Sequence, residues 1–208
     1  MNWILFLIFL FSGMQQVMAE TTAEIPAETS VEAPAETVPE VPVETPAETL
    51  PEKGVLKITS PAFQELTPIP SQYTCGGVNI SPPLEWTGVP ENAKSLILIM
   101  DDPDAAPKTW AHWVVFNISP ATTALPEKIK IGKNLENGGV QGLTDFKKNG
   151  YGGPCPPAGT HRYVFKLYAL DILVDLAPVD ATKDQLLSVM QKHVLAEGQF
   201  TAIYEHKK

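Results

Sequence analysis

Polar and apolar positions divide this chain into three stretches. Trp3 to Phe11 reads WILFLIFLF, an unbroken apolar run. Residues 20–53 are built chiefly from Glu, Thr, Pro, Ala and Val, with no aromatic residue. From Gly54 onward, short apolar runs recur between Pro- and Gly-bearing turns, the pattern of short strands. Leu56–Thr59 opens this region. Ser95–Met100, SLILIM, is continuously apolar after its serine and predicts a strand buried on both faces. Trp110–Ile118 and Tyr163–Leu170 are rich in β-branched and aromatic residues, as strands are. Phe200–Tyr204 predicts a last strand. One helix is expected near the end, because Leu186, Val189, Met190 and His193 follow the i, i+3, i+4, i+7 spacing. Asp180 or Thr182 is placed to cap its start, and Gly198 to follow its end.

The first two stretches read as accessories to the domain. The run at 3–11 is short of the roughly 20 residues that a relaxed membrane-spanning helix needs. It suits the apolar core of a secretory signal peptide, with Val17-Met18-Ala19 as an A-x-A-like cleavage site. The departure is an n-region, Met1-Asn2-Trp3, without Lys or Arg. Residues 1–19 are therefore expected to be a signal peptide, and the product to be periplasmic or secreted with no transmembrane span after cleavage. No cysteine follows the run, which excludes a bacterial lipoprotein anchor. In residues 20–53, Glu recurs every fourth position from Glu20 to Glu52. On a helix that spacing would stack like charges on one face, and the prolines from Pro26 to Pro51 would break the helix anyway. The segment reads as a disordered, self-repelling acidic linker, and residues 54–208 as the folded domain.

The charge follows the same division. The net charge of −9 comes from 24 acidic and 15 basic residues, but residues 54–208 hold 15 acidic and 14 basic. A nearly neutral domain behind an acidic linker has no electrostatic basis for binding nucleic acid. Two cysteines, Cys75 and Cys155, allow at most one internal disulfide and rule out a disulfide-built scaffold.

Three polar clusters interrupt the strands. Asp101-Asp102-Pro103-Asp104 directly follows SLILIM, which puts carboxylates at a strand end. Trp110-Ala111-His112-Trp113 enters the next strand. Gly150-Tyr151-Gly152-Gly153-Pro154-Cys155-Pro156-Pro157 precedes Gly159-Thr160-His161-Arg162-Tyr163. Glycines in such a loop let backbone N–H groups approach a ligand. Singly, each has a structural explanation: Asp-Pro is a common turn, and a histidine at a strand start is commonly structural. Together, two histidines and an aspartate converging from strand ends would suit an anion. A carboxylate beside a histidine raises its pKa, and imidazolium donates to phosphate. Asp102 would orient a histidine, and must itself be paired or protonated when an anion is bound. Gly152 and Gly153 would add backbone N–H donors.

In order and spacing these clusters resemble the phosphatidylethanolamine-binding protein family, in its bacterial and archaeal Raf-kinase-inhibitor-like branch. Tyr73-Thr74-Cys75-Gly76-Gly77 and Ser81-Pro82-Pro83-Leu84-Glu85-Trp86 add to the match, which covers about residues 55–205. The resemblance implies a mainly β fold: a large antiparallel sheet, a smaller second sheet and peripheral helices. It also implies a small anion pocket lined by Asp102, His112, His161 and the Gly152-Gly153-Pro154 loop, with Tyr163 nearby. It places Cys75 and Cys155 near that pocket, where an oxidising compartment would favour their pairing. Thr144 stands where the branch usually has Asn, and the long linker region of eukaryotic members is absent.

The expected function is a binding module, not an enzyme, for a phosphate-type headgroup on a phospholipid or other phosphorylated molecule. Inhibition of a protease or kinase is the partner function that the family implies. The alternative is a metal-dependent hydrolase using Asp102, His112 and His161 as a two-histidine, one-carboxylate site. The chain lacks H-E-x-x-H, G-x-S-x-G and Walker-type phosphate motifs, and no motif calls for a cofactor. His193 and His206 are expected to stand outside the pocket, and Trp86, Trp113 and Trp110 to serve packing, with Trp110 the one placed to wall the pocket. Asn79-Ile80-Ser81 and Asn117-Ile118-Ser119 match the glycosylation sequon, but each precedes a proline and is discounted.

Overall fold

The computed structural model describes residues 53–132, 134–136 and 138–205. The expected signal peptide, the acidic linker up to Glu52 and His206 lie outside these residues. The strands are β1 (Gly54–Val55), β2 (Lys57–Thr59), β3 (Leu84–Thr87), β4 (Ser95–Asp102), β5 (Trp110–Ile118), β6 (Ala124–Leu125), β7 (Val140–Gln141), β8 (Thr160–Leu170) and β9 (Val194–Glu205). The single α-helix among the described residues is α1 (Lys183–Met190). Six strands form a large sheet in the order β1-β9-β8-β4-β5-β7, and β2, β3 and β6 form a smaller one. The large sheet is antiparallel except at one edge, where β1 runs parallel to β9. The expected large antiparallel sheet with a smaller second sheet is present, with this one short parallel edge added.

The buried strand predicted from SLILIM is β4, the centre of the large sheet, and all eight of its residues are buried. Its side chains alternate between two cores. Leu96, Leu98 and Met100 join Trp113, Val115, Phe165 and Phe200 on one face. The small sheet covers this face through Ile58, Leu84, Trp86 and Leu125. Ile97 and Ile99 face the other way, into a core closed by Leu186 and Met190 of α1. Burial on both faces is why β4 carries no polar alternation.

The helix is shorter than its spacing predicts. Thr182 caps it, accepting a 3.3 Å hydrogen bond from the Gln185 amide. It ends at Met190, and Val194 already belongs to β9. His193 therefore sits in the turn after the helix, with Nδ1 2.8 Å from Asp171 Oδ1. Gly198 is not a helix cap but a mid-strand residue of β9. A Cβ there would run into the Leu56 carbonyl where the chain crosses at close range, which explains the glycine.

Candidate functional site

Strand alternation assembles the site. Asp102 follows Met100 on β4 by two residues, so it shares the face of Leu98 and Met100, while Asp101 points to the opposite face. On β8, His161 and Tyr163 precede Phe165 on the same face. On β5 the register slips between the Met100–Trp113 and Asp101–Ala111 pairs, leaving His112 as an extra residue. A bulge of this kind places two successive side chains on one face. His112 thereby joins Trp113 on the side of Asp102.

These side chains meet at one end of the sheet, in a pocket of about 350 Å³, a size that suits a small ligand. Asp102 is buried, and its Oδ2 lies 2.8 Å from His161 Nδ1 and 4.0 Å from His112 Nε2. Asp102 Oδ1 accepts the Asp104 amide at 3.0 Å, which closes the turn at Pro103. His112 is turned by the glycine loop: its Nδ1 is 2.6 Å from the Gly152 carbonyl oxygen. A carbonyl only accepts, so Nδ1 carries the hydrogen and Nε2 is the nitrogen left for the pocket. The His112 ring stands edge-on to Phe146 and to Tyr163, each at 5.2 Å between centroids.

The structure brings Asp102, His112 and His161 to the pocket surface, together with Cys155. Gly152, Gly153, Pro154 and Tyr163 stand behind that surface. The glycine amides, expected to donate to an anion, have partners inside the protein. Gly152 donates to the His112 carbonyl at 2.9 Å, and Gly153 donates to Asn79 Oδ1 at 2.8 Å. Both donors are spent on holding the loop. The glycines are there for space: a Cβ at Gly152 would strike the Phe146 ring, and one at Gly153 would strike the Tyr73 carbonyl. Pro154 ties the loop to its neighbour, its carbonyl accepting the Cys75 amide at 3.0 Å. Cys75 and Cys155 are disulfide-bonded, with Cα atoms 5.4 Å apart.

The electrostatics also differ from expectation in one respect. Burial pushes the His112 pKa below its usual value, outweighing the Gly152 carbonyl and the Asp102 charge that raise it. The expected rise beside a carboxylate is therefore overturned for His112: desolvation disfavours the imidazolium more than Asp102 favours it. Burial first, and the Asp102 charge second, push the Tyr163 hydroxyl far above its usual range. That hydroxyl is buried and lacks a well-aligned hydrogen-bond partner.

Several roles at the site were not legible in the sequence. Asp104 makes a bidentate pair with the Arg162 guanidinium at 3.0 and 2.7 Å and also accepts the Arg162 amide at 2.9 Å. Those hydrogen bonds hold the Asp104 carboxyl at about 2. The pair latches the turn after β4 to the start of β8. Phe146, Pro156 and Pro157 wall the pocket beside Trp110. The one available signal was position: Asp104, Pro156 and Pro157 belong to the clusters themselves and Phe146 lies four residues before Gly150, but nothing in the spacing showed that they line the pocket.

A second cavity, of about 330 Å³, lies around Lys108, Thr144, Asp145, Lys147 and Lys183. Lys108 is paired with Asp145 at 2.7 Å, and Lys183 with the buried Asp101 at 2.9 Å. Thr144 is buried and turns its hydroxyl to the Lys148 carbonyl. Two of this cavity's three lysines are thus paired within the fold.

The metal alternative meets a geometric obstacle. Donor atoms around a tetrahedral zinc, each about 2.0 Å from it, lie about 3.3 Å apart. Asp102 Oδ2 and His161 Nδ1, at 2.8 Å, share a hydrogen instead. Among the described residues no group of three His, Cys, Asp or Glu side chains is arranged to hold a metal ion.

Comparison with known proteins agrees with the resemblance drawn from the motifs. The family model described as phosphatidylethanolamine-binding protein matches residues 59–205. The UPF0098 protein of Methanothermobacter thermautotrophicus is 52% identical over 149 residues, which cover 72% of this chain and 98% of that protein. A crystal structure of a phosphatidylethanolamine-binding protein homologue from Chlamydia trachomatis is similar with a TM-score of 0.67 and 41% identity, covering 74% of this chain and 99% of the other. Escherichia coli YbcL, described as a member of the mammalian family, has a TM-score of 0.67 and 32% identity, with 73% and 99% covered.

Proposed function

The chain belongs to the phosphatidylethanolamine-binding protein family, and on that premise we propose that it is a binding protein, not a catalyst, whose pocket takes a phosphate-type headgroup. The observation that carries this is the convergence of Asp102, His112 and His161 from three strands onto one small pocket. Hydrogen bonds fix both rings: Asp102 orients His161, and Gly152 orients His112. Each imidazole keeps one nitrogen for a ligand. Trp110, Phe146 and the two prolines supply the apolar walls usual in small-ligand sites. In this reading the domain works outside the cytoplasm. The apolar run at 3–11, the Val17-Met18-Ala19 site and the Cys75–Cys155 bond support an oxidising compartment.

Calorimetric titration with O-phosphoethanolamine tests the proposal, with ethanolamine as the control lacking phosphate. Removing the His161 hydrogen bond, as His161→Ala, should weaken binding about ten- to a hundredfold, since such charge-assisted bonds are worth about 1.5–3 kcal/mol. His193→Ala should leave it unchanged. Equal binding of ethanolamine alone would refute the phosphate reading.

A further inference from the structure

Two walls of the pocket come from loops, and the loops are held differently. The loop after β4 brings Ala105 and Ala106 to the pocket. It is clamped near both ends by ion pairs, Asp104 with Arg162 at 2.7 Å and Lys108 with Asp145 at 2.7 Å. The other loop precedes β8 and supplies Cys155, Pro156 and Pro157. Its first half is hydrogen-bonded into the fold. Tyr151 donates to the Tyr73 carbonyl, Gly152 to the His112 carbonyl and Gly153 to Asn79, while the Pro154 carbonyl accepts the Cys75 amide. Its second half is not. Among the described residues, no main-chain hydrogen bond to another segment's main chain holds residues 155–159. Pro156 and Pro157 have no N–H to give. Gly159, at φ +70°, has open space where a Cβ would stand, and β8 begins one residue later. Over this stretch the anchor is the covalent bond from Cys155 to Cys75.

We propose that the Cys75–Cys155 disulfide is a positioning element of the pocket, so that ligand affinity depends on its oxidation state. The inference rests on the phosphate-type reading above and adds a regulation of the same site. Breaking the bond frees the Pro156–Pro157 wall while the hydrogen-bonded half of the loop keeps the fold in place. The same stretch also bears on the site's charge. Burial raises the Tyr163 pKa most, the charge of Asp102 and its hydrogen bond raise it further, and a hydrogen bond with the Cys155 main chain lowers it. Asp102 and Cys155 thus share one neighbour, and displacing Cys155 disturbs the surroundings of Asp102 as well as the wall. Cys155 is exposed, within reach of a dithiol. A thiolate of that dithiol attacks one sulfur and the S–S bond breaks. The second thiol then displaces the cysteine from the mixed disulfide. The two cysteines gain two electrons and two protons, and the dithiol leaves as a cyclic disulfide.

Coupling of this kind is reciprocal. The factor by which reduction weakens ligand binding is the factor by which saturating ligand shifts the thiol–disulfide equilibrium toward the bonded form. A bond that serves only global stability would leave both quantities unchanged while the reduced protein stays folded.

The test is calorimetry with O-phosphoethanolamine on the oxidised full chain, the reduced full chain and C75S/C155S. Reduction should weaken binding about tenfold, the effect of a wall that is in place about a tenth of the time. Asp101→Ala, which loosens the fold on the far face of β4, should keep wild-type affinity. In dithiothreitol buffers, saturating O-phosphoethanolamine should raise the ratio of disulfide to dithiol protein about tenfold, read by thiol trapping and mass spectrometry. Equal affinities in the two redox forms, with that ratio unmoved by ligand, would overturn the inference and leave the phosphate reading standing. A reduced protein without native circular dichroism would also overturn it, because the bond would then hold the fold and not the wall. Absence of binding by the oxidised protein would overturn both.

Discussion

Cutting the disulfide offers a quantitative handle on the fold. Cys75 and Cys155 are 80 residues apart in sequence, so their bond closes a long loop in the denatured chain. The chain-entropy relation, about 2.1 + 1.5R ln n in cal/mol/K, gives about 15 cal/mol/K for a loop of that length, or about 4.5 kcal/mol at 25 °C. In the native state the two loops hold together without the bond. Tyr151 donates its hydroxyl to the Tyr73 carbonyl at 2.6 Å, Gly153 donates to Asn79 at 2.8 Å, and Cys75 donates to the Pro154 carbonyl at 3.0 Å. The reduced protein should therefore stay folded but lose stability, chiefly because its unfolded state gains freedom. Guanidinium unfolding of the oxidised protein, the reduced protein and the C75S/C155S variant measures the loss directly. A fall of about 2–5 kcal/mol is expected, with a melting temperature lower by about 4–20 °C. A difference below about 1 kcal/mol would refute the reasoning, and two reactive thiols in unreduced, denatured protein would remove its premise.

Other perturbations report on separate parts of the structure. Asp101→Ala strands Lys166 and Lys183, which lie 3.0 and 2.9 Å from the buried carboxylate. It should cost about 3–5 kcal/mol in chemical denaturation and leave pocket binding intact, since Asp101 faces the other core. Gly152→Ala pushes a methyl group into the Phe146 ring. It should cost about 1–3 kcal/mol and weaken O-phosphoethanolamine binding, and wild-type stability and affinity would contradict the loop's packing role. Because burial lowers the folded His112 pKa, its contribution favours the folded state above about pH 6.5 and is lost as pH falls from there toward the depressed value. Stability measured from pH 7.5 to 4.5 should thus decline less steeply in His112→Gln, and a steeper decline in that variant would reverse the assigned shift.

What the sequence made legible was whatever lies in local pattern. SLILIM had to be a strand buried on both faces, because its five residues after Ser95 are all large and apolar, and β4 is that strand. Trp110–Ile118 was bounded correctly as β5 because its composition changes abruptly at both ends. The helix was overextended to His193 because Met190 and His193 keep helical spacing across a turn that ends the helix, and β9 begins one residue later. Gly198 misled for the same reason: its cause is the approach of Leu56, distant in sequence and invisible to local pattern. At the pocket, Asp102, His112 and His161 were readable as motif residues. The bulge that turns His112, the latch between Asp104 and Arg162, and the commitment of both glycine amides depend on register between strands. The sign of the His112 shift depends on burial depth, which a sequence neighbour cannot supply.

Histidine imidazole resonances test the central claim most directly. In heteronuclear spectra of the full chain, adding O-phosphoethanolamine at pH 6 should shift the ring signals of His112 and His161 in a saturable manner, with one dissociation constant for both. The rings of His193 and His206 should not move. Saturable shifts at His193 or His206 with His112 and His161 unmoved would place the phosphoryl group elsewhere and contradict the account.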